Sequence, residues 1–219
     1  RNMLDLSLFT LEASGGRDKT RAEYFAVHED SIKLYKFAKL FRFIQLDLLI
    51  GGVYLAGGAL RSLVDLDEVV SDYDLFFESQ VAAELTRERL KNLGFDLIFE
   101  CPEGKLFTFA GRGMKIQCVC ENYYFTAKEL ISTFDFTACA AAFDGNTLWV
   151  HRHFARSVRQ KKLKLLSLTF PVATLGRIIK YQQKGYRTGS CRLEFVEALQ
   201  GLFDTGFRLD DKNGRFYID

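Results

Sequence analysis

No apolar run in this 219-residue chain approaches the roughly 20 residues a membrane-spanning helix needs, and its first residues lack the charged, apolar, then small-residue order of an export signal. A soluble, unsecreted, cytoplasmic chain with no membrane partner is therefore expected. The cysteines, Cys101, Cys118, Cys120, Cys139 and Cys191, are odd in number, dispersed and mostly set among apolar residues, which excludes a disulfide framework and favours reduced core thiols. Cys118-Val119-Cys120 has the wrong spacing for a zinc knuckle, and with only three histidines no zinc site is expected. Net charge is scarce as well: 30 basic against 28 acidic residues leave +2, so any polyanion site must be local. Repeats and low-complexity linkers are also missing.

Apolar residues are abundant. A hydrophobic content of 48% with 21 Phe supplies one large or two small domains with ample core. Residues 1 to about 19 carry Leu4, Leu6 and Leu8 ahead of Ser14-Gly15-Gly16 and read as a short strand or arm followed by a loop. From Arg21 to about Leu46, Tyr24, Phe25, Val27, Ile32, Leu34, Tyr35, Phe37 and Ala38 recur at helical spacing, which predicts one or two helices whose aromatic stripe faces the core. A strand ending at Gly57-Gly58, a short helix through Leu63, a loop and a strand from Asp72 follow. Val81 to Leu93 reads as a helix stopped by Gly94, and Phe95–Phe99, Leu106–Phe109 and Met114–Val119 read as strands. A short helix near Ala127–Thr133 leads into Phe136–Phe143, which Asp144-Gly145-Asn146 joins to Thr147–Val150 as a hairpin. Pro171 opens a helix to about Lys184, and Cys191–Phe203 forms another. The expected division is 1–50 (arm and helices packing on the core), 51–168 (catalytic palm) and 169–219 (helical region).

The chemistry concentrates between Tyr54 and Phe77. Gly57-Gly58-Ala59-Leu60-Arg61-Ser62 puts a glycine turn before a predicted helix, where backbone N–H groups and the positive helix end can approach a phosphate without Cβ interference. Ser71-Asp72-Tyr73-Asp74 then places two carboxylates two apart on a predicted strand, hence on one face. Close carboxylates repel one another and favour a divalent cation between them, and Mg²⁺ suits a few carboxylates plus phosphate oxygens. Asp72 and Asp74 are accordingly candidate metal ligands for nucleotidyl transfer.

These residues resemble the head motif of the nucleotidyltransferase superfamily related to DNA polymerase beta, and more narrowly the branch of bacterial tRNA CCA-adding enzymes and poly(A) polymerases. Gly57, Gly58 and Arg61 match that branch's Gly-Gly-x-x-Arg-Asp turn, with Ser62 in place of the acid, and Asp72 and Asp74 match its Asp-x-Asp strand. Asp135-Phe136-Thr137 coincides with part of its Arg-Arg-Asp-Phe-Thr segment, although Thr133 and Phe134 replace both arginines. The likeness continues through Asp144-Gly145 and Gly176–Tyr186, covering residues from about 50 to 187. The family's Glu-Asp-x-x-Arg template for the incoming base would fall on Phe170, Pro171 and Thr174, which cannot offer the same hydrogen-bonding edge.

The resemblance implies an α/β (α+β) nucleotidyltransferase palm, a mixed twisted sheet flanked by helices with a small C-terminal helical region. It implies Mg²⁺ or Mn²⁺ on Asp72 and Asp74, a nucleoside triphosphate donor, and release of pyrophosphate on transfer to an acceptor hydroxyl, foremost on a tRNA-like or other RNA 3′ end. Asp135 either joins the metal site, since Met114–Val119 offers only Gln117 as a third strand position, or holds its own turn. Gly57, Gly58, Arg61, Thr137, Arg177 and Lys180 are candidate nucleotide contacts, although Arg61 could instead pair with Asp65 or Asp67, and Arg177 with Lys180 could be a solvent fringe. Arg152, Arg156, Arg159, Lys161, Lys162 and Lys164 form a basic segment that could meet RNA or be a solvated helix face. His151 and His153 read as surface residues. A protein or small-molecule acceptor is an alternative because only about fifty residues follow Thr169, and an inactive nucleotide-binding module is another because the third strand carboxylate, the arginine pair and the base template are missing.

Overall fold

The computed structural model describes residues 12–13, 24–28, 40–65, 67, 69–168 and 170–204. Their nine strands form one sheet in the order β1-β2-β9-β8-β3-β4-β7-β6-β5. In chain order these are β1 (Glu12–Ala13), β2 (Tyr24–His28), β3 (Val53–Ala56), β4 (Tyr73–Phe77), β5 (Asp96–Glu100), β6 (Leu106–Gly111), β7 (Met114–Tyr123), β8 (Ala141–Phe143) and β9 (Thr147–His151). The helices are α1 (Phe41–Ile44), α2 (Gly58–Arg61), α3 (Gln80–Asn92), α4 (Ala127–Ser132), α5 (Phe154–Arg159), α6 (Pro171–Gln183) and α7 (Gly189–Asp204). Only β4 and β7 run parallel; every other ladder among the described residues is antiparallel. This is the mixed α/β sheet with flanking helices expected from the motifs.

Alternation along β4 divides its side chains between two sides. Tyr73, Leu75 and Phe77 are buried in the main core with Leu55, Leu60, Phe109 and Phe136, while Asp74 and Phe76 emerge on the opposite face. On that opposite face a smaller cluster joins Tyr54 and Ala56 of β3 to Leu130 and Ile131 of α4, with Phe76, Tyr124 and Phe134 packed against it. The helix α4 is anchored there by its cap: the Thr126 hydroxyl accepts from Glu129 N at 3.2 Å, and Glu129 Oε2 reaches back to Phe125 N at 3.1 Å. On the main-core side, α3 starts where Ser79 Oγ accepts from Ala82 N and stops at Gly94, whose φ of +80° suits a glycine.

Two expectations need correction. Tyr24–His28 is a strand, paired with β9 from Tyr24↔His151 to His28↔Thr147, where a helix is expected. Aromatic and β-branched residues at 24, 25 and 27 satisfy both periods, and a partner more than a hundred residues away decides the outcome. Within Phe136–Phe143, residues Thr137–Cys139 form a 3₁₀ turn, and only Ala141–Phe143 pairs as a strand. The Leu4–Leu8 arm and the Ser14-Gly15-Gly16 loop lie outside the described residues. At the other end, Ile178, Tyr181, Cys191 and Phe195 of α6 and α7 enter the main core, so the C-terminal helices and the sheet share one apolar interior. All five cysteines are free thiols, and no helix among the described residues is long and apolar enough to cross a membrane.

Candidate active site

The end of β3, the open face of β4 and the C-terminal half of α6 enclose one pocket that Gly57, Gly58, Arg61, Asp72, Asp74 and Asp135 all line, together with Arg177 and Lys180. Gly57 takes φ +73° and ψ −131°, a conformation that L side chains rarely adopt, and a Cβ there would lie 3.4 Å from Asp74 Oδ2. The glycine turn therefore closes on the second carboxylate. The helix behind it is a single turn of four residues, so its dipole is small, and attraction for phosphate must come mainly from side chains.

Asp72 immediately precedes β4 and Asp74 lies two residues on, which puts their backbones roughly 7 Å apart along one face. Lys115 Nζ sits 2.6 Å from Asp72 Oδ1, and Ser71 Oγ donates to Asp72 Oδ2 at 3.0 Å. The half-exposed Lys115 thus places a cation beside the carboxylates and can swing to solvent when another cation takes that role. Among the described residues no group of three or more His, Cys, Asp or Glu stands ready as a metal cage. Two carboxylates facing a pocket nevertheless fit Mg²⁺, which is commonly held by one or two carboxylates with substrate phosphates completing its shell.

The opposite wall belongs to α6. Arg177, Lys180, Tyr181 and Lys184 follow one another at intervals of three, four and seven from Arg177, and all line the pocket. Arg61 is 5% exposed; its Nη1 donates to the Tyr181 hydroxyl at 2.5 Å and its guanidinium lies 5.0 Å from the Tyr181 ring centre. Burial pushes the Tyr181 phenol well above its ordinary value, with Arg61 opposing, so the phenol stays neutral. Asp65, one of the two carboxylates weighed as a partner for Arg61, is bound to Lys161 Nζ.

Asp135 is 4% exposed, and Arg177 Nη1 donates to its Oδ2 at 2.5 Å. Burial pushes the Asp135 carboxyl up, opposed by Arg177 and by a hydrogen bond from Thr174. Its carbonyl accepts from Leu166 N at 2.7 Å, so this residue ties the turn before the 3₁₀ helix to both α6 and the following chain. Thr137 stands apart from the other candidates: its hydroxyl is 2.7 Å from Ser157 Oγ, the residue is 1% exposed, and it does not line the pocket. Its side chain holds the 3₁₀ turn to α5. The basic segment from Arg152 to Lys164 also lies off the pocket wall, around α5, with Arg152, Arg156, Arg159, Lys162 and Lys164 exposed. His151 is buried, not on the surface; its Nδ1 accepts from His153 N at 3.1 Å.

Sequence reasoning missed Glu121, Tyr181, Lys184 and an aromatic wall. The strand read as ending at Val119 continues to Tyr123, and Glu121 lines the pocket from this extension. Polar residues at 121 and 122 hid this extension, because they read as the end of the strand. Phe76, Tyr124 and Phe134 adjoin one another on the same side, with ring centres 6.4 Å apart for Phe76–Tyr124 and 5.6 Å for Phe76–Phe134. Phe134 replaces an arginine of the resembling motif, so its position was visible while its chemistry was not.

Comparisons with known proteins bear on both fold and family. A family model described as Gabija anti-defense 2 family protein matches residues 30–161. A protein of Bacillus phage SPbetaL7 named Gabija anti-defense 2 is 31% identical over 170 residues, covering 74% of this chain and 41% of that protein. Among solved structures, a CCA-adding enzyme in complex with CTP superposes with a TM-score of 0.62 at 19% identity, covering 83% of this chain and 48% of that one. The corresponding ATP complex gives 0.56 at 20% identity, covering 85% and 48%. The Thermotoga maritima CCA-adding enzyme complexed with tRNA gives 0.52 at 22%, covering 71% and 40%. The chain spans 41% of the curated relative's length and under half of each of these enzymes. At these identities the structural likeness establishes the nucleotidyltransferase fold.

Proposed function

The chain belongs to the Gabija anti-defense 2 family, and from that premise we propose that its pocket performs metal-dependent nucleotidyl transfer from a nucleoside triphosphate to an acceptor hydroxyl, foremost at an RNA 3′ end. The observation that carries this reading is the convergence of Asp72 and Asp74 with Gly57-Gly58 on one pocket, opposite the cationic face of α6. In this reading Asp72 and Asp74 hold Mg²⁺, which when bound supplies charge neutralisation for the triphosphate and the departing pyrophosphate.

The chain's own groups orient the reactants. Gly57 and Gly58 let the phosphates approach the backbone, while Arg61, Lys180 and Lys184 draw the triphosphate against the second wall. The acceptor oxygen attacks the α-phosphorus, the bond to the bridging oxygen breaks, pyrophosphate leaves with that electron pair, and the hydroxyl proton passes to water. Arg177 and Asp135 brace the wall as a pair. The exposed cations around α5 favour a polyanionic acceptor such as RNA. The relative's name assigns an anti-defence role to that phage protein; nucleotide transfer onto a host RNA is one chemistry that could serve such a role here. A protein or small-molecule acceptor is the second reading, since the same phosphate chemistry serves any hydroxyl.

Incubation of the purified protein with Mg²⁺, each labelled nucleoside triphosphate, total RNA and lysate tests the reading. Label should enter RNA, and the Asp72→Asn/Asp74→Asn double variant should lose at least a hundredfold of that transfer. Label in protein bands supports the second reading, and nucleotide binding without any transfer rejects both.

A further inference from the structure

Beside the carboxylates, on the same face of β4, lies an arrangement with no part in gripping phosphate. Between Leu75↔Cys118 and Phe77↔Tyr123 the parallel ladder slips, so that four residues of β7, Val119 to Asn122, stand opposite Phe76 alone. Such bulges re-aim side chains and recur beside binding sites. Here Glu121 and Asn122 line the pocket next to Phe76, Tyr124 and Phe134. Each of the three rings is only partly buried: one flank packs against the small core cluster and the other contributes to the pocket wall.

Glu121 adds a second, independent feature. Its Oε1 accepts from Lys105 Nζ at 2.8 Å, whereas its Oε2 is sealed from solvent and accepts no hydrogen bond. A buried carboxylate oxygen without a donor is costly, so the partly exposed Glu121 side chain gains by turning Oε2 toward a pocket ligand that brings a donor.

We infer that the bulged end of β7 and the aromatic wall beside it form a nucleobase subsite, in which the base stacks on Phe134 and Phe76 and its exocyclic amine donates to Glu121. A flat apolar wall suits a base plane, because every base has a π-face. A carboxylate pairs with an amine such as cytosine N4 and rejects a carbonyl in the same place, so bases carrying an exocyclic amine bind in preference to uracil. Phe170 and Pro171 of α6 offer no such edge, which leaves β7 as the reading wall. This inference rests on the pocket being a nucleotide site. The base can come from the donor triphosphate or from the terminal residue of the acceptor.

Calorimetric titrations with Mg²⁺ separate these cases without turnover. Inorganic triphosphate, CTP and UTP are titrated into the protein, and cytidine and uridine are titrated into protein saturated with triphosphate. If the donor supplies the base, CTP binds about tenfold more tightly than triphosphate, Phe134→Ala removes that gain without changing triphosphate affinity, and Phe134→Tyr keeps it. If the acceptor supplies it, CTP and triphosphate bind alike, and cytidine binds the saturated protein in a manner lost in Phe134→Ala. In either case Glu121→Gln, which preserves shape, should reduce the preference for the cytosine base over the uracil base by about tenfold; an unchanged ratio overturns the role of Glu121. A base that adds nothing in either arm, or a gain that survives Phe134→Ala in protein melting as wild type, overturns the subsite. Failure of triphosphate to bind, with Phe134-dependent cytidine binding intact, would sink nucleotidyl transfer and leave the subsite standing, whereas no binding at all sinks both.

Discussion

Replacing Arg177 with methionine isolates what Asp135 does. The Asp135 side chain is 3% exposed and that of Arg177 is 23% exposed, so the substitution strands a carboxylate in an apolar setting. Breaking a buried pair from one side costs about 3–5 kcal/mol, and the partial exposure of Arg177 points to the lower end, about 3 kcal/mol. For a chain of this size that is a fall of about 6–12 °C in melting temperature. Asp135→Asn should cost less, about 1–2 kcal/mol, because the partly exposed guanidinium can turn to solvent. The double variant should be more stable than the sum of the single losses predicts, with a coupling of about 1–3 kcal/mol.

The pH dependence fixes the sign. Burial already holds the folded Asp135 carboxyl above its ordinary value, and Arg177 opposes that rise; removing Arg177 raises it further. A carboxyl raised in the fold destabilises once the unfolded chain ionises and has no effect when both states are protonated. The Arg177→Met defect should therefore be largest near neutrality and shrink as pH falls toward about 4. Urea titrations of the four proteins at pH 7 and pH 4.5 provide the measurement. If Asp135→Asn instead abolishes Mg²⁺-dependent nucleotide binding at unchanged stability and with no coupling to Arg177, the carboxylate is a metal contact and the bracing argument is wrong.

Two further outcomes follow from the geometry. The His151 imidazole is held down to about 4 by burial and by the His153, Lys164 and Arg152 charges, and its Nδ1 must stay unprotonated to accept from His153 N; the unfolded chain takes up the proton first, so stability should fall by about 2 kcal/mol between pH 6.5 and 4, and His151→Gln should flatten that limb of a melting curve. Gly57→Ala forces a side chain into φ +73°, ψ −131° against Asp74, which should cost about 1–3 kcal/mol in denaturant unfolding and weaken triphosphate binding; an alanine variant as stable as wild type would show that the turn relaxes freely.

Legibility in the sequence tracked the range over which each signal acts. The glycine turn and the Asp72/Asp74 alternation are local, and the sheet face they share is what period two requires. Helices α3 and α6 were readable because their stop and start residues, Gly94 and Pro171, sit in the sequence itself. Tyr24–His28 was misread because only its distant ladder with β9 distinguishes strand from helix there. Glu121 escaped because a strand assumed to end at Val119 continues through a bulge that only the β4 register creates. Arg177 and Lys180 were seen as a pair, whereas the tie of Tyr181 to the buried Arg61 joins residues 120 apart and has no local signal. The motifs led to the fold and not to the anti-defence family, since the residues that carry the resemblance are those of the glycine turn and the sheet.

The departures from the resembling motif are not scattered. Both arginines ahead of Asp135 are gone and an aromatic ring takes one place; the base template is replaced by Phe170, Pro171 and Thr174. The elements proposed to handle phosphate are present and line one pocket: the strained glycine turn, the paired carboxylates, and the face from Arg177 to Lys184. Loss by drift of an unused activity should erode the paired carboxylates first, because two like charges side by side destabilise the fold unless a cation repays them. Here they persist, partly neutralised by Lys115, while change concentrates where a base or an acceptor would lie. That division is the one expected if the proposed transfer runs here on a different partner.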